Sequence, residues 1–263
     1  MISAITVILT AVATLAADGH RPALVRRGGD PARGLMANYS AGSRPFDAPD
    51  PTRVTVVFVH GFNPLPRLVH FGMAEEFADS LSRRGGASIN LLAWQWNAAT
   101  CESLRPSVNL QAAVRQGHSL AQHLMAAGVD PARTHLIGQS VGGIVVTTAA
   151  RDLAIGLRRP VAQITLLDPA TYYHSLIFKE LEVGSLAPIV ENYWSPGPSA
   201  FGNEVAVPGV LNYRVDSSTH FVGLFCPLRS DHLLLVRWYL KTVEDPRWPG
   251  GFNSSPFTNG PVL

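Results

Sequence analysis

Two hydrophobic patterns alternate along this chain. Val54, Thr55, Val56, Val57, Phe58 and Val59 form an unbroken β-favouring run, as expected of a strand buried on both faces. Over 70–84, Phe71, Ala74, Phe77, Ala78 and Leu81 recur at helical spacing, and Gly85 and Gly86 end the pattern. A second strand is expected over 89–96 and a loop over 97–106. A helix over 107–127 follows, carrying Leu110, Val114, Leu120, Leu124 and Met125 and closed by Gly128. A short strand over 134–138 runs straight into a helix over 141–155. Further strands are expected over 161–167, 188–193 and 210–215. A last helix over 231–243 has Leu233, Leu234, Val236, Trp238, Tyr239 and Leu240 on a broad apolar face. This order predicts an α/β protein, a mostly parallel central sheet flanked by helices. Such sheets bind ligands at the carboxyl ends of their strands.

The flanks read differently. Residues 18–52 are rich in Gly, Pro, Arg and Asp without a sustained period, which predicts an arm of low regularity. Residues 246–263 read as a surface tail, leaving one domain over 53–245. Residues 1–17 carry no charged side chain, and their apolar centre and small-residue end are those of a signal peptide. They predict a secreted or periplasmic protein. Cys101 and Cys226 are compatible with one disulfide in an oxidising compartment, or with two buried thiols.

Composition narrows the class. Of 263 residues, 46% are hydrophobic and 15% charged, enough apolar surface for a sizeable core and too few charges for a disordered chain. A formal net charge of +2 gives no reason to expect a nucleic-acid partner. Downstream of the N-terminus no stretch is long and apolar enough for a stable membrane span. The oligomeric state is left open.

The candidate chemistry centres on Gly138, Gln139, Ser140, Val141 and Gly142. A G-x-S-x-G motif between a strand and a helix is a nucleophile elbow, which presents the serine hydroxyl at the sheet edge. With 23 glycines, a random chain of this length would contain the motif roughly one time in ten, so the partners must decide. A serine nucleophile needs a base to take its proton and a third group to orient that base. Asp168 closes the next strand and is followed by Pro169, so its carboxylate is expected at the same edge. For the base, chain order favours a histidine beyond the last strand, which leaves His220 and His232. His232 opens an amphipathic helix and so has the more rigid mount; His220 is the alternative. Two backbone N–H groups must receive the developing oxyanion. Val141, after the nucleophile, is one; Phe62, in the loop His60, Gly61 and Phe62 after the first core strand, is the other. His60 itself is read as a support for that loop.

Together Val57 to Phe62, Gly138 to Gly143, Leu167 to Ala170 and Asp231 to Leu233 resemble the α/β-hydrolase fold, and within it most closely the secreted lipases of the pancreatic lipase type. Leu92, Ala93, Trp94, Gln95 and Trp96, and the run from Asp130 to Leu136, are similar in order and spacing to the same family. The resemblance spans about residues 54–240. It implies Ser140 as nucleophile, Asp168 as acid, His232 as base and Phe62 and Val141 as oxyanion donors. Gln139 stands where those lipases usually carry histidine.

The expected activity is hydrolysis of carboxylic esters by a Ser-His-Asp triad through an acyl-enzyme, with a small ester or lipid as substrate. The apolar run over 221–228 could line an acyl pocket or act as a short flap, and the stretch over 171–187 is a second candidate cap. If Cys101 and Cys226 pair, the bridge joins two loops on that edge. The triad calls for no cofactor, and no Cys/His cluster has metal-ligand spacing. The same triad would serve a thioesterase, amidase or acyltransferase, and a non-catalytic lipid carrier is the reading from another class.

Overall fold

The structure, a computed structural model, describes residues 34–62, 73–84, 88–96, 106–196, 201–216, 231–248 and 250–255. Among the described residues seven strands form one sheet: β1 (Leu35–Asn38), β2 (Val54–Val59), β3 (Ile89–Gln95), β4 (Thr134–Gln139), β5 (Gln163–Leu167), β6 (Ile189–Trp194) and β7 (Val210–Arg214). Their spatial order is β1-β3-β2-β4-β5-β6-β7. Only β1 runs against its neighbour, pairing antiparallel with β3; the other five pairings are parallel. The helices are α1 (Met73–Arg83), α2 (Pro106–Ala126), α3 (Gly142–Leu157), α4 (Thr171–Glu180) and α5 (Asp231–Glu244).

Strand periodicity divides the core into two layers. Val57, Val59, Leu92 and Trp94 point to one face and pack with Ala113, Leu120 and Leu124 of α2 and Ile144, Val145 and Ala149 of α3. The intervening residues Val56, Phe58, Leu91 and Ala93 point to the other, against Phe77 of α1 and Leu235, Tyr239 and Val243 of α5. Because side chains alternate with period two, an unbroken apolar run is what a strand covered on both sides requires. Each fully buried Leu or Val contributes about 1.5–3 kcal/mol. The expected α/β architecture is present, with most element ends within a residue or two of their expected positions.

Three stretches differ from expectation. The arm over 18–52 contains β1, whose Ala37 and Asn38 are buried. Four residues are too few to show a period, and this strand is held by its pairing partner: Leu35 to Asn38 lie opposite Gln95 to Leu92. The tail over 246–263 is not all surface. Gly251–Ser254 forms a 3-10 turn, Phe252 is 1% exposed, and Ser255 Oγ donates to Gln163 Oε1 at 2.7 Å. The stretch after β5, where the sequence predicts an irregular segment, holds α4, whose backbone leaves helical geometry at His174. The expected signal peptide (1–17) and residues 256–263 lie outside the described residues. No helix among the described residues is long and apolar enough to cross a membrane.

Candidate active site

The carboxyl ends of β4 and β5, the loop after β2 and the start of α5 meet at one edge of the sheet. At the end of β4 the chain turns through Ser140, whose φ of 55° lies in the left-handed region, and α3 begins two residues later. The turn demands small neighbours. A Cβ on Gly138 would lie 2.5 Å from the Gly142 carbonyl oxygen, and one on Gly142 would lie 2.5 Å from that of Val59. The two motif glycines therefore let the helix descend onto β4 and the end of β2. The serine backbone is tied to β5: Ser140 N–H donates to Leu167 O at 2.9 Å, and Ala170 N–H donates to Ser140 O at 3.3 Å.

Asp168 follows β5 directly, also at positive φ, 43°. Its side chain is fully buried and accepts three hydrogen bonds: from His232 Nδ1 at 2.5 Å, Phe201 N–H at 2.9 Å and Ser195 N–H at 3.3 Å. Burial pushes this carboxyl up. The His232 hydrogen bond and charge, with the two amides, outweigh burial and hold it below its ordinary value of 3.8. His232 is the second residue of α5, so its backbone is fixed by a helix whose apolar face is sunk in the core. The Phe201 ring meets its imidazole edge-on, centroids 4.9 Å apart. The far ring nitrogen, Nε2, lies 2.8 Å from Gln139 Nε2.

The loop after β2 is braced from behind. His60 Nε2 accepts from Trp96 N–H at 3.3 Å, which leaves Nδ1 as the donor to Gly61 O at 2.7 Å. Burial pushes this imidazole down to about 4, so at neutral pH the ring is uncharged and has one proton to give. With Gly61 O turned to His60, a trans peptide turns the Phe62 N–H the opposite way. Val141 N–H falls among the amides that a helix start leaves without an intrahelical acceptor.

The structure thus brings Asp168 and His232 into contact, with Gln139, the residue before Ser140, joining His232 to Gly61. A Cβ on Gly61 would lie 2.6 Å from Ser140 Cβ, so the loop carrying Phe62 borders the serine. His220, Cys101 and Cys226, and the apolar run over 221–228, lie outside the described residues. Sequence reasoning missed Gln139, Phe201 and Ser195. Gln139 was in view as the residue before the serine; nothing local marks the other two. Among the described residues, no group of three or more His, Cys, Asp or Glu side chains is placed to hold a metal ion.

A parallel sheet with an antiparallel edge strand, its strand–serine–helix elbow at the centre, is an α/β-hydrolase fold. The sequence matches no protein-family model and no curated protein. Among solved structures the chain is similar to a predicted CIB-like hydrolase from Thermoplasma acidophilum, at 14% identity and TM-score 0.44, covering 80% of this chain and 98% of that one. It is also similar to an esterase from Pyrobaculum calidifontis, at 12% identity and TM-score 0.43, covering 92% and 93%. A third is the esterase PE8, at 17% identity and TM-score 0.39, covering 69% and 87%.

Proposed function

We propose that this protein is a serine hydrolase of carboxylic esters, with Ser140 as nucleophile, His232 as base, Asp168 as the group that orients the base, and the N–H groups of Phe62 and Val141 as oxyanion donors. The observation that carries the reading is the buried 2.5 Å contact between Asp168 and His232 Nδ1, at the strand edge where Ser140 turns. In the first half-reaction Ser140 Oγ attacks the ester carbonyl carbon while His232 Nε2 takes the hydroxyl proton. The tetrahedral oxyanion collapses, the C–O bond to the alcohol breaks, and His232 returns the proton to that alcohol. A water then repeats the sequence on the acyl-enzyme and releases the acid. Asp168 keeps the proton of the neutral ring on Nδ1, so the lone pair faces outward.

The apolar run over 221–228 favours a substrate with an apolar acyl part, and residues 1–17 favour export to the periplasm or medium. A fluorophosphonate probe tests the chemistry. The wild type labels at Ser140, and Ser140→Ala abolishes labelling; unchanged labelling in that variant overturns the proposal. Rates on p-nitrophenyl esters of rising acyl length then read the pocket.

A further inference from the structure

Gln139 is buried between two parts of the site. Its Oε1 accepts from Gly61 N–H at 2.7 Å, and its Nε2 lies 2.8 Å from His232 Nε2. The backbone amide fixes the orientation. Gly61 N–H can only donate, so the side-chain oxygen must face it and the NH2 must face the imidazole. That NH2 can also only donate, so His232 Nε2 is the acceptor and its proton sits on Nδ1, against Asp168. One direction of donation runs through the site: Gly61 to Gln139, Gln139 to His232, His232 to Asp168.

An unprotonated ring nitrogen has a single lone pair. While it accepts from Gln139 it cannot accept from the Ser140 hydroxyl, and a serine whose proton has no acceptor is a poor nucleophile. The two side chains that compete for the base are consecutive residues on either side of the elbow. Resting on the hydrolase reading above, we propose that Gln139 is a positioning residue that latches the resting base to the oxyanion loop and must let go of both before Ser140 is activated. The latch keeps the ring in the tautomer that catalysis needs while withholding its lone pair. Release frees Gly61 N–H beside Ser140 in the same movement, so base and loop are made available together. Opening breaks two hydrogen bonds, which sets the resting penalty on the order of 10-fold in rate.

The test compares second-order labelling by a small alkyl fluorophosphonate, across pH 5–9, in wild type, Gln139→Met and Gln139→Glu. Methionine keeps the length of the side chain and removes the donor. It is expected to label on the order of 10-fold faster at neutral pH. Glutamate keeps an acceptor for Gly61 and turns a carboxylate toward His232 Nε2, which then favours the protonated ring. Its labelling is expected to be slower, with the acid limb of the profile displaced upward by about 1–3 pH units. Labelling of a folded Gln139→Met protein at or below the wild-type rate overturns the latch. So does a Gln139→Glu profile that superimposes on the wild type, and this second variant decides if the first does not fold. A wild type that never labels at Ser140 overturns the hydrolase reading and the latch with it. Labelled wild type with unaccelerated Gln139→Met overturns the latch alone.

Discussion

Asp168 and Glu191 are two buried carboxylates on neighbouring strands, and their surroundings drive them in opposite directions. Burial disfavours the charge of both. Asp168, at the strand end, meets an imidazole and two backbone amides, and these hold it ionised. Glu191, in the middle of β6, meets only neutral side chains: Gln163 Nε2 at 2.8 Å, Tyr193 OH at 3.1 Å and Thr165 Oγ1 at 3.4 Å. Those bonds do not offset burial, and the Glu191 carboxyl stays above its ordinary value of 4.5. Backbone donors become available where strands end, and strand centres have none to spare. The same sheet therefore supports a carboxylate's charge at its edge and disfavours one in its middle.

Removing the charge at the edge has the largest expected effect. Asp168→Asn should lower ester turnover by about 10,000-fold, because an amide no longer fixes the tautomer and charge of His232; Glu191→Gln should change turnover less than about twofold. Steady-state kinetics on one ester separate the two, and comparable losses would erase the functional contrast. The cover of the strand-centre cluster comes next. Phe252 stacks on His135 with centroids 6.0 Å apart and meets Phe77 and Tyr239 edge-on. Phe252→Ala should lower stability by about 3–5 kcal/mol, read by urea unfolding; a loss under about 1 kcal/mol would show that the tail does not cover this core.

The smallest effect is the sign of pH dependence. A carboxyl raised in the folded state contributes stability that is full below pH 4.5 and lost as pH rises through its folded value. Glu191→Gln should therefore gain on the wild type as pH rises above 4.5, on the order of 1 kcal/mol. Its amide can donate to the Tyr193 hydroxyl and accept from Gln163. Asp168 runs the other way: its contribution is present above pH 3.8 and lost as pH falls below that value. Urea midpoints at three pH values would show the crossing, and parallel slopes would end the comparison.

What was legible in the chain was what is written locally. Ser140 lies in a five-residue motif, Asp168 in strand punctuation, and His232 at the mouth of an amphipathic helix, so each announced itself within its own segment. β1 was not legible, because its stability comes from β3. In α4 the apolar residues follow no clean period, and the helix breaks geometry at His174. Phe252 lies among Gly, Pro and Asn, a composition that reads as tail although its ring completes the aromatic layer. Two of the three partners of Asp168 are backbone amides, and any residue type supplies those. Gln139 shows the limit best. Its identity was plain, but its role depends on which two groups the fold brings to either end of one amide.

Ser140 and Asp168 share a backbone conformation that glycine would adopt more easily. Non-glycine residues in such conformations cost about 1–3 kcal/mol each. A chain selected only for durability would drift toward glycine at both positions and would lose with each replacement the side chain that distinguishes the site. If Ser140 and Asp168 act as proposed, robustness and activity pull apart at these two positions, and the chain has settled on the less durable choice at each.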